Sequence, residues 1–139
     1  MKYTQKELCL IWLDSFVGLE YKHKKQLYKY LDESDGIKEL LSSGKDYLVS
    51  ELGENLYNTV CGSANKNYLD SILDGLNSRR ITCITLDSPN YPEQLLNTDI
   101  PPLVLYAKGD LSLLNTEIFG VVGSRKSLPV QLNLTKSIC

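Results

Sequence analysis

The chain has 139 residues, of which 42% are hydrophobic and 23% are charged, a balance typical of a globular protein and not of a disordered one. Its formal net charge is −2, so overall charge does not indicate a nucleic-acid binder and any anion site must be local. No window approaches the ~20 apolar residues that a membrane helix requires.

Cysteine and histidine content narrows the class of protein further. The four cysteines are far apart with no C-x-x-C pair, and Lys2, Gln5, Lys6 and Glu7 interrupt any secretory signal. We therefore expect a cytosolic protein with reduced thiols and no membrane contact. His23 is the only histidine, which excludes a His-based metal site and a Ser-His-Asp triad within this chain. No paired carboxylates suit acid–base catalysis, so we expect no catalytic residue, metal or cofactor.

Residues 1–78 have the apolar spacing of a small helical domain. Thr4 is the predicted N-cap of the first helix, with Glu7 as its capping-box partner. A second helix is predicted around residues 22–31, and a short third helix begins after Ser34 or Asp35 and ends at Gly44. The apolar positions with helical spacing are Leu8, Ile11, Trp12 and Phe16, then Leu27, Tyr30 and Leu31, then Ile37, Leu40 and Leu41.

Two further helical stretches complete this predicted domain. Helical spacing continues after residue 45, with a break at Gly53 and a predicted turn at Cys61-Gly62-Ser63. The last helical pattern, over residues 68–76, is the clearest, and the domain boundary is predicted at Asn77 to Arg80. The apolar positions are Leu48, Leu52, Leu56 and Val60, then Tyr68, Leu69, Ile72, Leu73 and Leu76.

After Arg80 the sequence predicts alternating strands and helices. Residues 81–86 and 103–107 are predicted strands, and residues 91–96 are a short helix with Pro92 in its first turn. Residues 118–122 are almost wholly apolar, like a strand buried on both faces of a parallel sheet. A last helix has Pro129 in its first turn and carries Val130, Leu134 and Ile138 on one face. This order predicts an α/β fold in which residues 79–139 form the incomplete start of a parallel sheet.

The turn between the third predicted strand and the last helix has the composition of a phosphate site. Gly123 allows close approach of the backbone, and the helix start offers unpaired N–H groups and a positive dipole end. The hydroxyls of Ser124 and Ser127 can donate to phosphate oxygens, and the adjacent basic residues Arg125 and Lys126 add positive charge. An ordinary strand-to-helix turn with a serine cap is the other interpretation, since the segment is neither a G-x-G-x-x-G nor a Walker A motif.

Three segments in order resemble the start of the core of the DNA-processing protein DprA/Smf family. They are I-T-L-D…N-Y-P…L in residues 84–95, I-P-P-L-V-L-Y-A-K-G-D in residues 100–110 and V-V-G-S-R in residues 121–125. Residues 1–78 resemble the SAM-like or helix-hairpin-helix-like domain that many members carry. The resemblance implies an extended Rossmann-like domain that binds single-stranded DNA, protects it during natural transformation, forms homodimers and helps load RecA. It also implies that Gly123, Ser124 and Arg125 contact phosphate.

Two features depart from the family pattern. Residues 126–131 lack the glycine of the Ser/Thr-x-Tyr-Gly-like stretch that usually follows the Ser-Arg pair. The later S-G-x-A-x-G-I-D and R-N-R segments do not occur before Cys139, so we expect a truncated form of the domain.

The role of the helical part remains open at this point. A helix-hairpin-helix that grips DNA typically has a G-x-G hairpin, whereas this chain has Val17-Gly18-Leu19-Glu20, where the acid would repel phosphate. A group of lysines follows, which fits an ordinary solvated helix face. The sequence favours a structural or protein-contact role over direct DNA binding. The lysines are Lys22, Lys24, Lys25 and Lys29, beside His23.

Two other functional classes are weighed against DNA binding. A Rossmann-like nucleotide-processing enzyme of the phosphoribohydrolase type needs a P-G-G-x-G-T-x-x-E segment, which does not occur before Cys139. A helical protein-interaction module is the other class, and binding of a partner by residues 1–78 alone would support it.

Overall fold

The computed structural model describes residues 3–33, 37, 41, 45–117, 120, 122–123 and 126–138. The described part is a mixed structure of helices and one small antiparallel sheet. A 3-10 helix spans Leu111–Asn115. The helices are α1 Gln5–Asp14, α2 Tyr21–Glu33, α3 Lys45–Leu52, α4 Glu54–Ser63, α5 Lys66–Ser78, α6 Glu93–Leu96 and α7 Pro129–Ile138, and the strands are β1 Thr82–Thr85 and β2 Val104–Ala107.

Helix α1 begins with the predicted capping box. The Glu7 amide donates to Thr4 Oγ1 at 3.3 Å, and the Thr4 amide donates to Glu7 Oε2 at 2.8 Å. Each residue thus satisfies a backbone donor that a helix start leaves unpaired. The five consecutive residues Cys9 to Leu13 are all buried, so α1 is covered on every side.

The predictions for the second to fourth helices have mixed outcomes. The second helix is confirmed as α2 and is longer than predicted. Ile37 and Leu41 are helical, but the remaining residues predicted for the third helix lie outside the described residues. Gly53 separates α3 from α4, as predicted, and its φ of 77° is a conformation that glycine adopts without strain.

The turn predicted at residues 61–63 is wrong, because these residues form the last turn of α4. Tertiary contacts hold them there. The Trp12 indole N–H donates to the Ser63 carbonyl at 3.1 Å, and Val60, one turn earlier, is buried with 1% exposure. Packing therefore overrides the local preference of Gly62 for a turn.

Helix α5 confirms the clearest periodic pattern in the sequence. Its N-cap is Asn65, whose side-chain oxygen accepts from the Tyr68 amide at 2.9 Å. The chain leaves the helix at Arg80, which has a positive φ of 56°, and the Ile81 amide bonds back to the Leu76 carbonyl at 2.9 Å. This exit directs the chain into β1.

The sheet differs from the prediction in direction. Both predicted strands exist, but β1 and β2 are antiparallel, with Thr82 opposite Ala107 and Thr85 opposite Val104. The parallel arrangement is therefore corrected for this pair. The connection contains only the four-residue helix α6 and is closed by the Tyr91 hydroxyl, which donates to the Pro102 carbonyl at 2.7 Å. A parallel crossover usually requires a longer helix that packs on the sheet.

The third predicted strand, residues 118–122, is not confirmed. Ile118, Phe119 and Val121 lie outside the described residues, while Gly120 and Val122 are not in a strand. Val122 is 95% exposed. Within the described part of the chain the sheet consists of β1 and β2, so the parallel sheet in which such a strand would be buried is not observed there.

Helix α1 joins two hydrophobic clusters. Toward the other helices, Trp12 and Phe16 pack in a cluster that includes Leu27, Tyr57 and Val60. Toward the sheet, the second cluster consists of Leu10 and Ile11 of α1 together with Cys83, Leu103 and Val104 of the hairpin region. The helical part and the β-hairpin therefore share a core across the predicted boundary at residue 78.

Candidate functional site

The predicted phosphate turn precedes α7. Gly123 and Lys126 are exposed and Ser127 is half-buried, whereas Ser124 and Arg125 lie outside the described residues. A Cβ atom added at Gly123 would lie 4.0 Å from Ser127 Oγ, an ordinary contact distance. The serine hydroxyl therefore lies near Gly123, which brings both ends of the turn together.

The start of α7 is partly capped by its own residues. Pro129 is the first helical residue, as predicted, and has no N–H to offer. The Leu128 amide donates to Gln131 Oε1 at 2.9 Å, and the Gln131 amide donates to the Leu128 carbonyl at 3.0 Å. These bonds reduce the number of helix-start amides that remain for an anion. Phosphate binding here would depend mainly on side chains and on amides of the preceding turn.

The charge of this segment is opposite to that of the whole chain. Residues 118–139 contain Arg125, Lys126 and Lys136 and no Asp or Glu, while the chain as a whole has a formal charge of −2. Lys136 lies in the last turn of α7. The local positive charge that an anion site requires is therefore present in the sequence around the turn.

Helix α7 is exposed along its whole described length. The predicted helix is confirmed, but its apolar face is not buried: Val130 is 70% exposed, Leu134 62% and Ile138 58%. The helix therefore does not pack against the core in the described part of the chain, and the turn before it is accessible to solvent.

The aromatic and acidic residues of the resembling motif have structural contacts. Tyr91 is buried and closes the loop between the two strands through its bond to the Pro102 carbonyl. Asp87 accepts a hydrogen bond from the Tyr28 hydroxyl of α2. These side chains therefore hold the hairpin region in shape and attach it to the helical part.

A polar network that the sequence did not indicate also joins these parts. Lys24 Nζ lies 3.1 Å from Asp14 Oδ1, and the Tyr106 hydroxyl of β2 donates to Asp14 Oδ2 at 3.0 Å. Burial and the negative charge of Asp14 raise the pKa of Tyr106 well above its usual value. Because Asp14 and Tyr106 are 92 positions apart, no local spacing rule could have paired them.

The described part of the chain includes two cavities that lie away from the turn. One of about 560 Å³ lies beside β1 and the 3-10 helix, with Tyr3, Asn90 and Asn115 among its lining residues. The other, of about 580 Å³, lies between α1 and α5 and includes Trp12 and Lys66 in its lining. Neither cavity is lined by residues of the turn.

The described part of the chain contains neither a cluster of metal-ligand side chains nor a membrane-spanning helix. Its His, Cys, Asp and Glu side chains form no group of three or more that could hold a metal ion. Its helices include none with the length and apolar character needed to cross a membrane.

Comparison with known proteins gives a match to a family model. The model of the family described as DNA recombination-mediator protein A matches residues 82–139, which include the hairpin, the turn and α7. Comparisons with curated proteins and with solved structures give no match. The family match agrees with the resemblance carried by the three sequence motifs. Residues 82–139 are therefore similar to the DNA recombination-mediator protein A (DprA) family, and this match covers less than half of the chain.

Proposed function

We propose that this chain acts in DNA recombination as a non-enzymatic, cytoplasmic protein that binds single-stranded DNA by its phosphate backbone. The observation that carries the proposal is the family match over residues 82–139, because it includes the basic, acid-free turn at Gly123–Ser127. In this role the protein protects the strand and helps to load RecA during natural transformation.

The chemistry of the turn supports contact with phosphate and not with bases. A guanidinium at Arg125 can bond two phosphate oxygens at once, and the exposed Lys126 adds a second positive charge. Hydroxyl donors at Ser124 and Ser127 complete the set. Such contacts carry no sequence information, so binding is expected to tolerate any sequence and to weaken with salt.

The finer architecture is also part of the proposal. Residues 1–78 act as a SAM-like helical domain, and residues 79–139 are the first part of an extended Rossmann-like domain. Homodimers form as the family resemblance implies.

An oligonucleotide titration tests the site. Fluorescence anisotropy of a labelled, mixed-sequence single strand is measured at several salt concentrations for the wild type, for Arg125→Ala/Lys126→Ala and for Lys45→Ala/Lys66→Ala. The control pair removes the same charge from exposed helical positions outside the turn. If both turn residues contact phosphate, the slope of log K against log salt should be about 1.4 less steep in the turn variant than in the wild type, at ~0.7 per lost contact.

Three results would contradict the proposal. Absence of salt-sensitive binding by the wild type argues against DNA binding, and equal slopes for the turn variant and the control argue against this site. Release of free base from a nucleoside monophosphate by the purified chain argues against a non-enzymatic role. RecA loading is measured separately, as the rate of RecA-dependent ATP hydrolysis on the oligonucleotide with and without the protein.

A further inference from the structure

Helix α2 has two chemically different faces. Successive residues of an α-helix are rotated by about 100°, so Lys24, Leu27 and Tyr28 share one face. Leu27 is buried with 2% exposure, and the other two contact the rest of the fold. The same geometry places Lys22, Lys25 and Lys29 together on the opposite face, and all three are exposed. We call these three residues the lysine stripe.

The lysine stripe differs from Lys24, whose side chain is paired within the fold. Lys24 is neutralised by Asp14 at 3.1 Å, and its side chain is only 12% exposed. Lys22 pairs with Glu20 at 3.1 Å, but both side chains are about two-thirds exposed, and such pairs are weak and easily exchanged. Among the side chains that the structure describes, which do not include those of residues 30–33, no carboxylate lies within ion-pair distance of Lys25 or Lys29.

The position of Glu20 changes the interpretation of the helical part. In the sequence, this acid stands where a DNA-gripping hairpin has a glycine and would repel phosphate. In the structure it lies just before α2, with its carboxylate 3.1 Å from Lys22 Nζ. Lys25 and Lys29 lie further along the helix, about one and two turns beyond Glu20.

The chemistry of the stripe fits a phosphate chain better than a protein surface. Lys25 and Lys29 are one turn apart, about 6 Å along the axis, which is comparable to the spacing of phosphates in an extended single strand. Stable protein interfaces need buried apolar or aromatic anchors and are depleted in lysine. The stripe is flanked by the exposed polar residue Gln26, and the described side chains of that helix face include no such anchor.

Helix α2 is attached to the segment that matches the DprA family. Tyr28 bonds to Asp87, and Lys24 joins Tyr106 through Asp14. The stripe is therefore fixed relative to the hairpin of that segment.

We propose that the stripe of Lys22, Lys25 and Lys29 is a second contact for the phosphate backbone of single-stranded DNA. This inference rests on the proposed function and assigns to the helical part a share in the same ligand. The stripe supplies point charges without base readout, so its contribution is salt-sensitive and independent of sequence.

The test compares Lys25→Gln/Lys29→Gln with Lys45→Gln/Lys66→Gln in the full chain, using the labelled oligonucleotide. We expect the slope of log K against log salt to be about 1.4 less steep in the stripe variant than in the wild type. Raising the salt concentration from ~50 to ~200 mM should therefore weaken binding by the wild type about sevenfold more than binding by the variant. The control should keep the wild-type slope. Far-UV circular dichroism checks that every variant is folded, which is expected because these four side chains are exposed.

The outcomes separate this inference from the proposed site. If the salt dependence of binding decreases in Arg125→Ala/Lys126→Ala but is unchanged in the stripe variant, only the inference about the stripe is wrong. If it decreases in the stripe variant but is unchanged in the turn variant, the stripe is supported and the proposed phosphate site at the turn is wrong. Absence of oligonucleotide binding by the wild type overturns both. If the stripe variant binds DNA normally but loses binding to a polyglutamate peptide, the surface is a contact for acidic protein and the inference is wrong.

Discussion

Ile11 tests whether the helical part and the β-hairpin share one core. Its side chain is fully buried, and with Leu10 it packs against Cys83, Leu103 and Val104. Ile11→Ala removes three carbon atoms, worth about 2.4 kcal/mol at ~0.8 kcal/mol each. The remaining cavity adds to this loss, so we expect the free energy of unfolding to fall by about 3 kcal/mol. That is a large share of the ~5–15 kcal/mol typical of a domain.

The assay follows both parts of the fold during urea denaturation. Fluorescence of Trp12, the only tryptophan, reports on the cluster between the helices. Hydrogen exchange of the Leu86 amide, which bonds to the Leu103 carbonyl at 2.9 Å, reports on the hairpin. Because α1 belongs to both clusters, we expect Ile11→Ala to destabilise the two regions together. The control is Ile100→Ala, at a position that is 64% exposed, with an expected change within ~0.5 kcal/mol.

Two results would refute the shared core. If Ile11→Ala destabilised the chain no more than Ile100→Ala, Ile11 would not be packed as the structure shows. If the Leu86 amide lost protection while the Trp12 transition kept its midpoint, the hairpin would unfold as an independent unit.

The remaining predictions concern the backbone, the pH response and the polar network. Gly53→Ala should destabilise the chain by about 1 kcal/mol because the backbone φ at this position is 77°. Gly62→Ala should stabilise the chain by up to ~1 kcal/mol because Gly62 lies within α4 with open space around it. Equal shifts of the melting temperature for the two variants would contradict this prediction. Burial raises the pKa of the Cys83 thiol from about 9 to about 11, so the unfolded chain releases this proton first and stability falls as pH rises through that range. The fall should be smaller in Cys83→Ala, and parallel urea-midpoint curves would exclude the effect. In urea titrations, Asp14→Asn should lower the free energy of unfolding by about 2 kcal/mol and Tyr106→Phe by about 1 kcal/mol. The first variant costs more because it leaves the largely buried Lys24 ammonium without its charge partner. The reverse order would argue against the network.

Local interactions made part of this protein predictable from its sequence. The Thr4 capping box, the helix of residues 66–78 and the start of α7 at Pro129 depend on residues within one or two turns of each other. The family motifs are equally local, and the match over residues 82–139 confirms the resemblance that they carry. Gly123, Lys126 and Ser127 are placed before α7, as the sequence predicts, while their contact with phosphate remains a prediction.

Interactions between distant residues decided the rest. The direction of β2 relative to β1 depends on how the connecting loop closes, and the helical state of residues 61–63 depends on Trp12, about fifty positions earlier. The lysines of α2 are alike in sequence, and only packing distinguishes the one that pairs with Asp14 from the stripe that faces solvent. The periodicity of the sequence indicates which residues share a face of a helix or strand. Which of those faces is buried depends on the elements from elsewhere in the chain that pack against it.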